Sequence, residues 1–294
     1  MRGTLSILEV ARPRDLAHAL RLMHTAEGAE RPSPLAGGTD LLVYLNAGQH
    51  AGRRFVDLWG LAELSGIRVG RDGVRLGALT TFSEIREHTL LRRRFPALVA
   101  AAAEVGGRQI QNRATLGGNI ANASPAGDSL PALMALDAVV HARSVAGERS
   151  LAFAALYQGY RKLALGSDEL ITAVTLPSSP TRSRQFFRKV GTRRAQSISK
   201  VVMGGNARIG GDGRLDHVRI AYGSVAPVTL RATGAEAVLL GERPSPAVAD
   251  AAGAALRREI APIDDIRSDR EYRLEVAARL LGQFLHAVDS RFGR

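Results

Sequence analysis

Two glycine pairs constrain this chain more than any other feature. Ala36-Gly37-Gly38-Thr39-Asp40 and Thr115-Leu116-Gly117-Gly118-Asn119 lie about eighty residues apart. Glycine reaches backbone conformations closed to other residues and lets a partner come close to the main chain. Adjacent glycines therefore aim several N–H groups at one point, which suits an anion. A helix opening behind them adds about 0.3–1 kcal/mol per anionic group. The plain alternative is that each pair makes a turn and nothing more. For either pair alone that alternative is the better reading. Two similar loops, each with a threonine and a short polar partner (Asp40, Asn119), favour a cradle that holds a diphosphate from both sides.

Around these loops short strand patterns alternate with helical ones, which reads as an α+β fold. Residues 4–10 predict a strand, and Arg14–Glu27 carries Leu16, Leu20 and Met23 at helical spacing behind Pro13. PSPLAGGTDLLVYL reads as a strand or turn, a glycine loop and a helix beginning near Asp40. RRFVDLWG is strand-like, and GIRVGRDGVRLGALT alternates about a glycine-containing turn as a hairpin does. Thr81–His88 and Pro96–Val105 are helical, the second glycine loop leads into a short helix and a strand, and a further strand ends at Pro177. The polar stretch SSPTRSR then marks the main boundary. Beyond it, FFRKVG, VVMGGNARIG and LDHVRIAYGSV read as strands around a GGDG turn, followed by two helices. The last, about Asp269–Val288, buries Leu274, Ala277, Leu281 and Leu285 on one stripe.

Composition removes several classes. With 45% hydrophobic and 23% charged residues over 294 positions, the chain is an ordinary globular one. No apolar run approaches the ~18 residues of a membrane helix, and the charged N-terminus lacks a signal-peptide core, so a cytoplasmic location is expected. The absence of cysteine excludes disulfides, cysteine nucleophiles and cysteine-ligated clusters within this chain. The seven histidines form no HExxH or HxxxH pair, and no metal site is expected. Net charge is +12, and with only three lysines (Lys162, Lys189, Lys200) 37 of the 40 basic residues are arginine. Such a balance fits nucleic acid, an anionic cofactor or an acidic partner. At 5% aromatics the stacking platforms of a single-strand binder are missing, and most of the charge reads as solvated surface. The GxGxxG, GxxxxGK and GxSxG signatures are all absent.

LAGGTDLL, followed by QIQNRATLGGNIANASPAGDSLPALMALDA, resembles the FAD-binding medium subunit of the molybdenum hydroxylases. This family includes the carbon monoxide dehydrogenase medium subunit and the flavin region of xanthine dehydrogenase. The likeness continues through LGALTTFSEI, ELITAVTLP, FFRKVGTRRAQSISKV, AYGSVAP and SDREYR, in family order over nearly the whole chain. It implies a two-part PCMH-type FAD-binding domain over residues 1–178, with subdomains of about 1–60 and 61–178. A smaller α/β domain of the carbon monoxide dehydrogenase flavoprotein C-terminal type would follow over 179–294. By the same resemblance Leu35, Ala36, Gly37, Gly38, Thr39, Asp40 and Leu41 wrap the diphosphate from one side. Thr115, Gly117, Gly118 and Asn119 contact it, and the ribityl chain, from the other. Val105 falls near the adenine, Asp128 hydrogen-bonds the sugar-like portion of the flavin with Ser124 nearby, and Ile171 is an aliphatic flavin contact. Lys189 falls at the pyrimidine end of the isoalloxazine, where a fixed ammonium stabilises reduced flavin. Without the resemblance, Lys189 reads as a solvated strand lysine. No residue is assigned as catalytic.

Gln111-Asn112-Arg113 departs from the family pattern, which has arginine before the asparagine, so the role of Arg113 stays open. The lack of cysteine excludes the branch with an extra iron–sulfur insert. Among lesser candidates, Asp57 and Trp59 read as a strand end and a packed indole, and Asp264–Asp265 as helix capping. Arg193 and Arg194 suit a pyridine nucleotide, a partner or plain solvent equally. Tyr222 and Gly223 are loosely expected at the flavin edge.

The resemblance implies an FAD-carrying electron-transfer subunit of a three-component molybdenum hydroxylase. A large molybdopterin subunit would hydroxylate the substrate, and a small subunit would relay electrons through 2Fe–2S clusters. This chain would pass them to NAD, a quinone or oxygen within a dimer of heterotrimers. KVGTRRAQSISKV leans towards a xanthine-dehydrogenase-like holoenzyme. One rival is a self-contained FAD oxidase of PCMH-like fold; such enzymes often tether flavin through histidine, and neither glycine loop holds one. The other is a basic nucleic-acid-binding protein, for which the chain offers charge but no motif. Gly118→Val should block the close backbone approach and abolish FAD retention, read from the flavin absorbance of the purified protein. Normal FAD affinity in that variant would remove Gly118 from the site.

Overall fold

Three cores, each under its own sheet, organise the chain. The computed structural model describes residues 8–25, 31–50, 52–193, 196–289 and 292. In the first unit α1 (Leu16–His24) starts behind Asp15, whose carboxylate accepts from the His18 amide at 2.7 Å. Its Leu16, Ala19, Leu20 and Met23 form one buried face against Val56, Leu58, Leu61 and Leu64. The sheet beside it is parallel, with β3 (Arg54–Asp57) between β1 (Glu9–Ala11) and β2 (Ser33–Leu35). The strand expected over 4–10 is thus seen as Glu9–Ala11, and residues 4–7 and 26–27 of those expectations lie outside the described residues. After β2 the chain passes through the first glycine pair into α2 (Leu41–Asn46).

The second unit is a five-stranded antiparallel sheet. The predicted hairpin is present as β4 (Ile67–Val69) and β5 (Gly73–Gly77), and β6 (Val139–Ser144) pairs with β7 (Gly147–Ala152). A small hairpin, β8 (Tyr157–Gly159) and β9 (Lys162–Leu163), precedes β10 (Leu170–Pro177), which occupies the centre of the order β4-β5-β10-β6-β7. Central placement explains the nearly unbroken apolar run of ELITAVTL, since a strand covered on both faces loses its alternation. Six helices accompany this sheet: α3 (Phe82–Glu87), α4 (Thr89–Arg94), α5 (Pro96–Glu104), α6 (Arg108–Gln111), α7 (Leu116–Asn122) and α8 (Ser129–Ala135). Thr81 and Glu84 form a reciprocal capping box at the start of α3. Leu76, Phe82, Leu98, Leu116, Leu133 and Val174 belong to one buried cluster.

The third unit is the sheet β11 (Arg184–Val190), β12 (Val201–Ile209), β13 (Leu215–Gly223) and β14 (Leu230–Arg231), in that order. It packs against α9 (Thr233–Leu239), α10 (Pro246–Glu259) and α11 (Arg270–Val288). The stripe predicted on α11 is buried, joined by Leu280 and Phe284. Helices α4, α6 and α9 are absent from the sequence reading because runs of four to seven residues display no helical period and, unlike α3, none of the three opens on a side-chain cap. Tyr222 is fully buried in this third core, its hydroxyl donating to the Ala277 carbonyl at 2.9 Å, so it is not a flavin-edge residue.

The second and third units meet across small residues. A Cβ on Gly204 of β12 would lie 2.4 Å from the Pro131 carbonyl oxygen of α8. Ser224 N donates to the Pro125 carbonyl at 2.8 Å, and Ala97, Ala101 and Ala132 form a cluster against Phe187. The polar stretch between the units is tacked down, with Arg94 donating to the Ser178 hydroxyl at 2.7 Å. Among the described residues no helix is long and apolar enough to cross a membrane. Gly204→Val cannot keep this contact. Overpacking of this kind costs about 1–3 kcal/mol, and the thermal unfolding midpoint should fall accordingly.

Candidate functional site: a cleft between the glycine segments

Strand β2 ends at Leu35, whose carbonyl accepts from Leu58 N at 2.8 Å, and residues 36–40 turn away from the sheet towards α2. The turn lies directly on the chain ahead of the second glycine pair. A Cβ on Gly37 would sit 1.9 Å from the Arg113 carbonyl oxygen, so the two main chains touch with no room for a side chain. Gly38 takes φ +74°, a left-handed conformation that favours glycine. The amides of Gly37, Gly38, Thr39 and Asp40 donate to no group of the described residues. Four adjacent donors are thus left for a ligand or water.

The second pair is built differently from the expectation. Gly117 and Gly118 are not in a loop but in the first turn of α7 behind Thr115, whose Oγ1 accepts from Gly118 N at 3.1 Å. Leu116 N donates to the Thr80 carbonyl at 2.9 Å and Gly117 N to the Ala78 carbonyl at 2.8 Å. Gly117 is where α7 crosses Ala78, since a Cβ there would lie 2.7 Å from the Ala78 methyl. A Cβ on Gly118 would meet only the Thr115 hydroxyl, at 2.8 Å, with its outer side open. Free amides therefore come from the first segment; the second contributes small residues and polar side chains.

Between the two segments runs a cleft of about 1070 Å³, at the upper end of small-molecule sites. Of the residues singled out from sequence, Ala36, Gly37, Gly38, Thr39, Asp40, Leu41, Val105, Thr115, Gly117, Gly118, Asn119, Ser124, Asp128 and Ile171 line it. Leu35 and Lys189 do not. Leu35 is the last residue of β2. Lys189 reaches across from β11 and stands one layer back, donating to Asp128 Oδ2 at 2.7 Å and to the Glu104 carbonyl at 3.1 Å. The Ser199 hydroxyl donates to the other oxygen of Asp128. The Lys189 and Asp128 side chains are 3% and 11% exposed. Burial pushes the Asp128 carboxyl up, against the opposing pull of the Lys189 ammonium and the hydrogen bonds from Lys189 and Ser199. Burial likewise raises the Asp40 carboxyl, partly offset by the Arg161 guanidinium.

Other wall residues carried no signal in the sequence reading. Tyr44, Asn122, Arg161 and Ile198 line the cleft, as does His50. Both His50 nitrogens are engaged, Nδ1 accepting from Gly52 N at 3.0 Å and Nε2 lying 3.3 Å from the Ser33 hydroxyl. Asp57 accepts from Trp59 N at 3.0 Å, and the Arg113 guanidinium lies 3.6 Å from the Trp59 ring centroid. Arg113 thus stacks on the indole. Arg193 donates to the Gln196 carbonyl; Arg194 lies outside the described residues. Asp264 accepts from Arg270 N, the first amide of α11, Asp265 accepts from Arg267 N at 2.8 Å and Ser268 N at 3.1 Å in the turn before it, and Asp269 is the N-cap residue.

Lys189→Met would leave the Asp128 carboxylate buried without a counter-charge. Removing one partner of such a pair costs about 3–5 kcal/mol, which urea unfolding should report. Adding Asp128→Asn should recover more than half of that loss.

Residues 6–179 match the family model described as the FAD binding domain in molybdopterin dehydrogenase, and 185–288 that of the CO dehydrogenase flavoprotein C-terminal domain. The chain is 33% identical over 271 residues to the xanthine dehydrogenase FAD-binding subunit of Escherichia coli O157:H7, covering 90% of each. It is 30% identical over 289 residues to the nicotine 6-hydroxylase medium subunit of Paenarthrobacter nicotinovorans, covering 98% of this chain and 99% of that one. A chain in the structure of carbon monoxide dehydrogenase from Hydrogenophaga pseudoflava superposes with a TM-score of 0.92 at 26% identity, over 97% of this chain and 98% of that chain.

Proposed function

Because the chain belongs to the FAD-binding medium subunits of the xanthine dehydrogenase and carbon monoxide dehydrogenase family, we propose that it works as an electron-transfer subunit. It takes electrons from 2Fe–2S clusters of a small subunit and delivers them to NAD, a quinone or oxygen. A large molybdopterin subunit completes the complex as a dimer of heterotrimers in the cytoplasm. The holoenzyme is of the xanthine dehydrogenase type, acting on a heterocycle.

The observation that carries this reading is the row of four amides, Gly37 to Asp40, without a partner among the described residues, on the wall of a cleft of about 1070 Å³. Main-chain donors of this kind suit a diphosphate. When bound, FAD supplies the redox chemistry, exchange of electrons singly or in pairs. The chain's own residues bind and orient. The Gly37–Asp40 amides hold the diphosphate, with Leu35, Ala36 and Leu41 shaping their turn. Thr115, Gly117, Gly118 and Asn119 form the opposite wall along the ribityl chain. Val105 and Ile171 exclude water from the rings. Asp128, beside Ser124, accepts from a sugar-like hydroxyl, and Lys189 acts through it by holding that carboxylate in place. With no histidine in either glycine segment, the reading is of non-covalent FAD.

An absorption spectrum of the purified chain, native and after acid denaturation, together with FAD titration of the apo form, tests this. Stoichiometric FAD released on denaturation is expected, reduced slowly by organic substrates and rapidly by the reduced iron–sulfur partner. Failure to bind FAD both alone and in the co-expressed complex would overturn the reading.

A further inference from the structure

A second hollow, of about 370 Å³, opens where the second and third units meet. Arg93 and Arg94, in the last turn of α4, enter it from the second unit, and Arg184, the first residue of β11, enters it from the third. Ser179 and Ser183, on the segment between β10 and β11, complete the wall. It shares no lining residue with the cleft between the glycine segments.

Elsewhere on the surface arginines find carboxylates: Arg108 meets Glu87 at 2.6 Å, Arg149 meets Glu169 at 2.6 Å and Arg208 meets Asp216 at 2.8 Å. Among the described residues no carboxylate pairs with Arg93, Arg94 or Arg184. Three like charges about one hollow repel one another and draw in an anion. The neutral groups act in the same sense. Gln185 is fixed at both ends, its Nε2 donating to the Arg94 carbonyl at 2.7 Å and its Oε1 accepting from Ala97 N at 3.4 Å. The second bond takes up the first amide of α5, so the hollow works through side chains and not through that helix end. Ser179 Oγ accepts from Gln185 Nε2 at 3.3 Å and from Asn206 Nδ2 at 3.4 Å. Both its lone pairs are then occupied and its proton is left to donate. Donors are left over and acceptors are not, which suits a ligand that only accepts.

The turn carrying the serines is strained. Ser183 N donates to the Pro180 carbonyl at 3.0 Å, and Arg182 between them takes φ +66°, a conformation that favours glycine. Strain of this kind collects at ligand sites, and here it adds a fourth cation to the segment.

We propose that this hollow is a phosphate site that clamps the second unit to the third. A doubly charged tetrahedral oxyanion accepts from several guanidiniums and from Ser179 at once. With Arg93 and Arg94 on one unit and Arg184 on the other, an occupied site resists their separation. The phosphate group is that of inorganic phosphate or of a small phosphomonoester. The inference stands apart from the FAD reading and holds whether or not the cleft takes a flavin.

Isothermal titration and thermal unfolding of the full-length chain test it, with inorganic phosphate, glycerol 3-phosphate and acetate at an ionic strength fixed with sodium chloride. Arg184→Gln should weaken phosphate about tenfold, and Arg93→Gln combined with Arg184→Gln about a hundredfold. Saturating phosphate should raise the thermal midpoint of the unaltered chain by roughly 2–5 °C. That rise should vanish in the double variant, whose midpoint without phosphate should match that of the unaltered chain, since neither arginine has a carboxylate to lose. Glycerol 3-phosphate binding as tightly as phosphate, or more tightly, assigns the site to a phosphomonoester; weaker binding assigns it to the free ion. Undiminished phosphate affinity in the double variant would place the binding elsewhere and overturn the proposal. Acetate binding as tightly as phosphate, or an unaltered chain that binds no phosphate, would overturn it too.

Discussion

The closest backbone approach around the cleft, Gly37 against the Arg113 carbonyl, is the contact on which the rest depends. It joins the parallel sheet to the unit built on the antiparallel one, and it does so with main chain alone. No side chain fits between them, so the turn after β2 has one position, and its four unused amides are held there by packing. Arg113 contributes twice: its carbonyl meets Gly37, and its guanidinium lies on the Trp59 ring just beyond β3. The departure from the family pattern at Gln111-Asn112-Arg113 therefore falls at a residue that braces the junction.

The third unit enters the site from behind. Lys189 and Ser199 both reach Asp128, one from β11 and the other from the segment before β12. A carboxylate in that position would be costly by itself. Its ionised form is held by groups from another sheet, and the small-residue contact at Gly204 keeps that sheet in place. The geometry of the cleft wall is thus tied to packing well away from it.

Much of the fold was legible because its signals are local: the hairpin about Gly70–Gly73, the stripe on α11, the apolar central strand. The glycine segments were legible for the same reason, since adjacent glycines are rare enough to stand out. What failed depends on partners distant in sequence. Gly117 and Gly118 looked like a loop, yet hydrogen bonds from Leu116 and Gly117 to Thr80 and Ala78 fix them as a helix start. Tyr222 looked available until Ala277 claimed its hydroxyl. The Tyr44–Arg161 contact spans 117 positions, and nothing in either local stretch announces the other. The motif around Lys189 is local, but its place behind Asp128 depends on a strand 61 residues away in sequence from that carboxylate.

The reach of Lys189 into the first half of the chain has a consequence for synthesis. The Gly37–Asp40 turn leaves the ribosome roughly 150 residues before Lys189 does. At about 5–20 residues per second the delay is about 8–30 seconds. During that interval Asp128 lacks the ammonium and the Ser199 hydroxyl that hold its two oxygens. The nascent chain is therefore a poor host for its cofactor until the last sheet has docked, and loading belongs to the finished subunit.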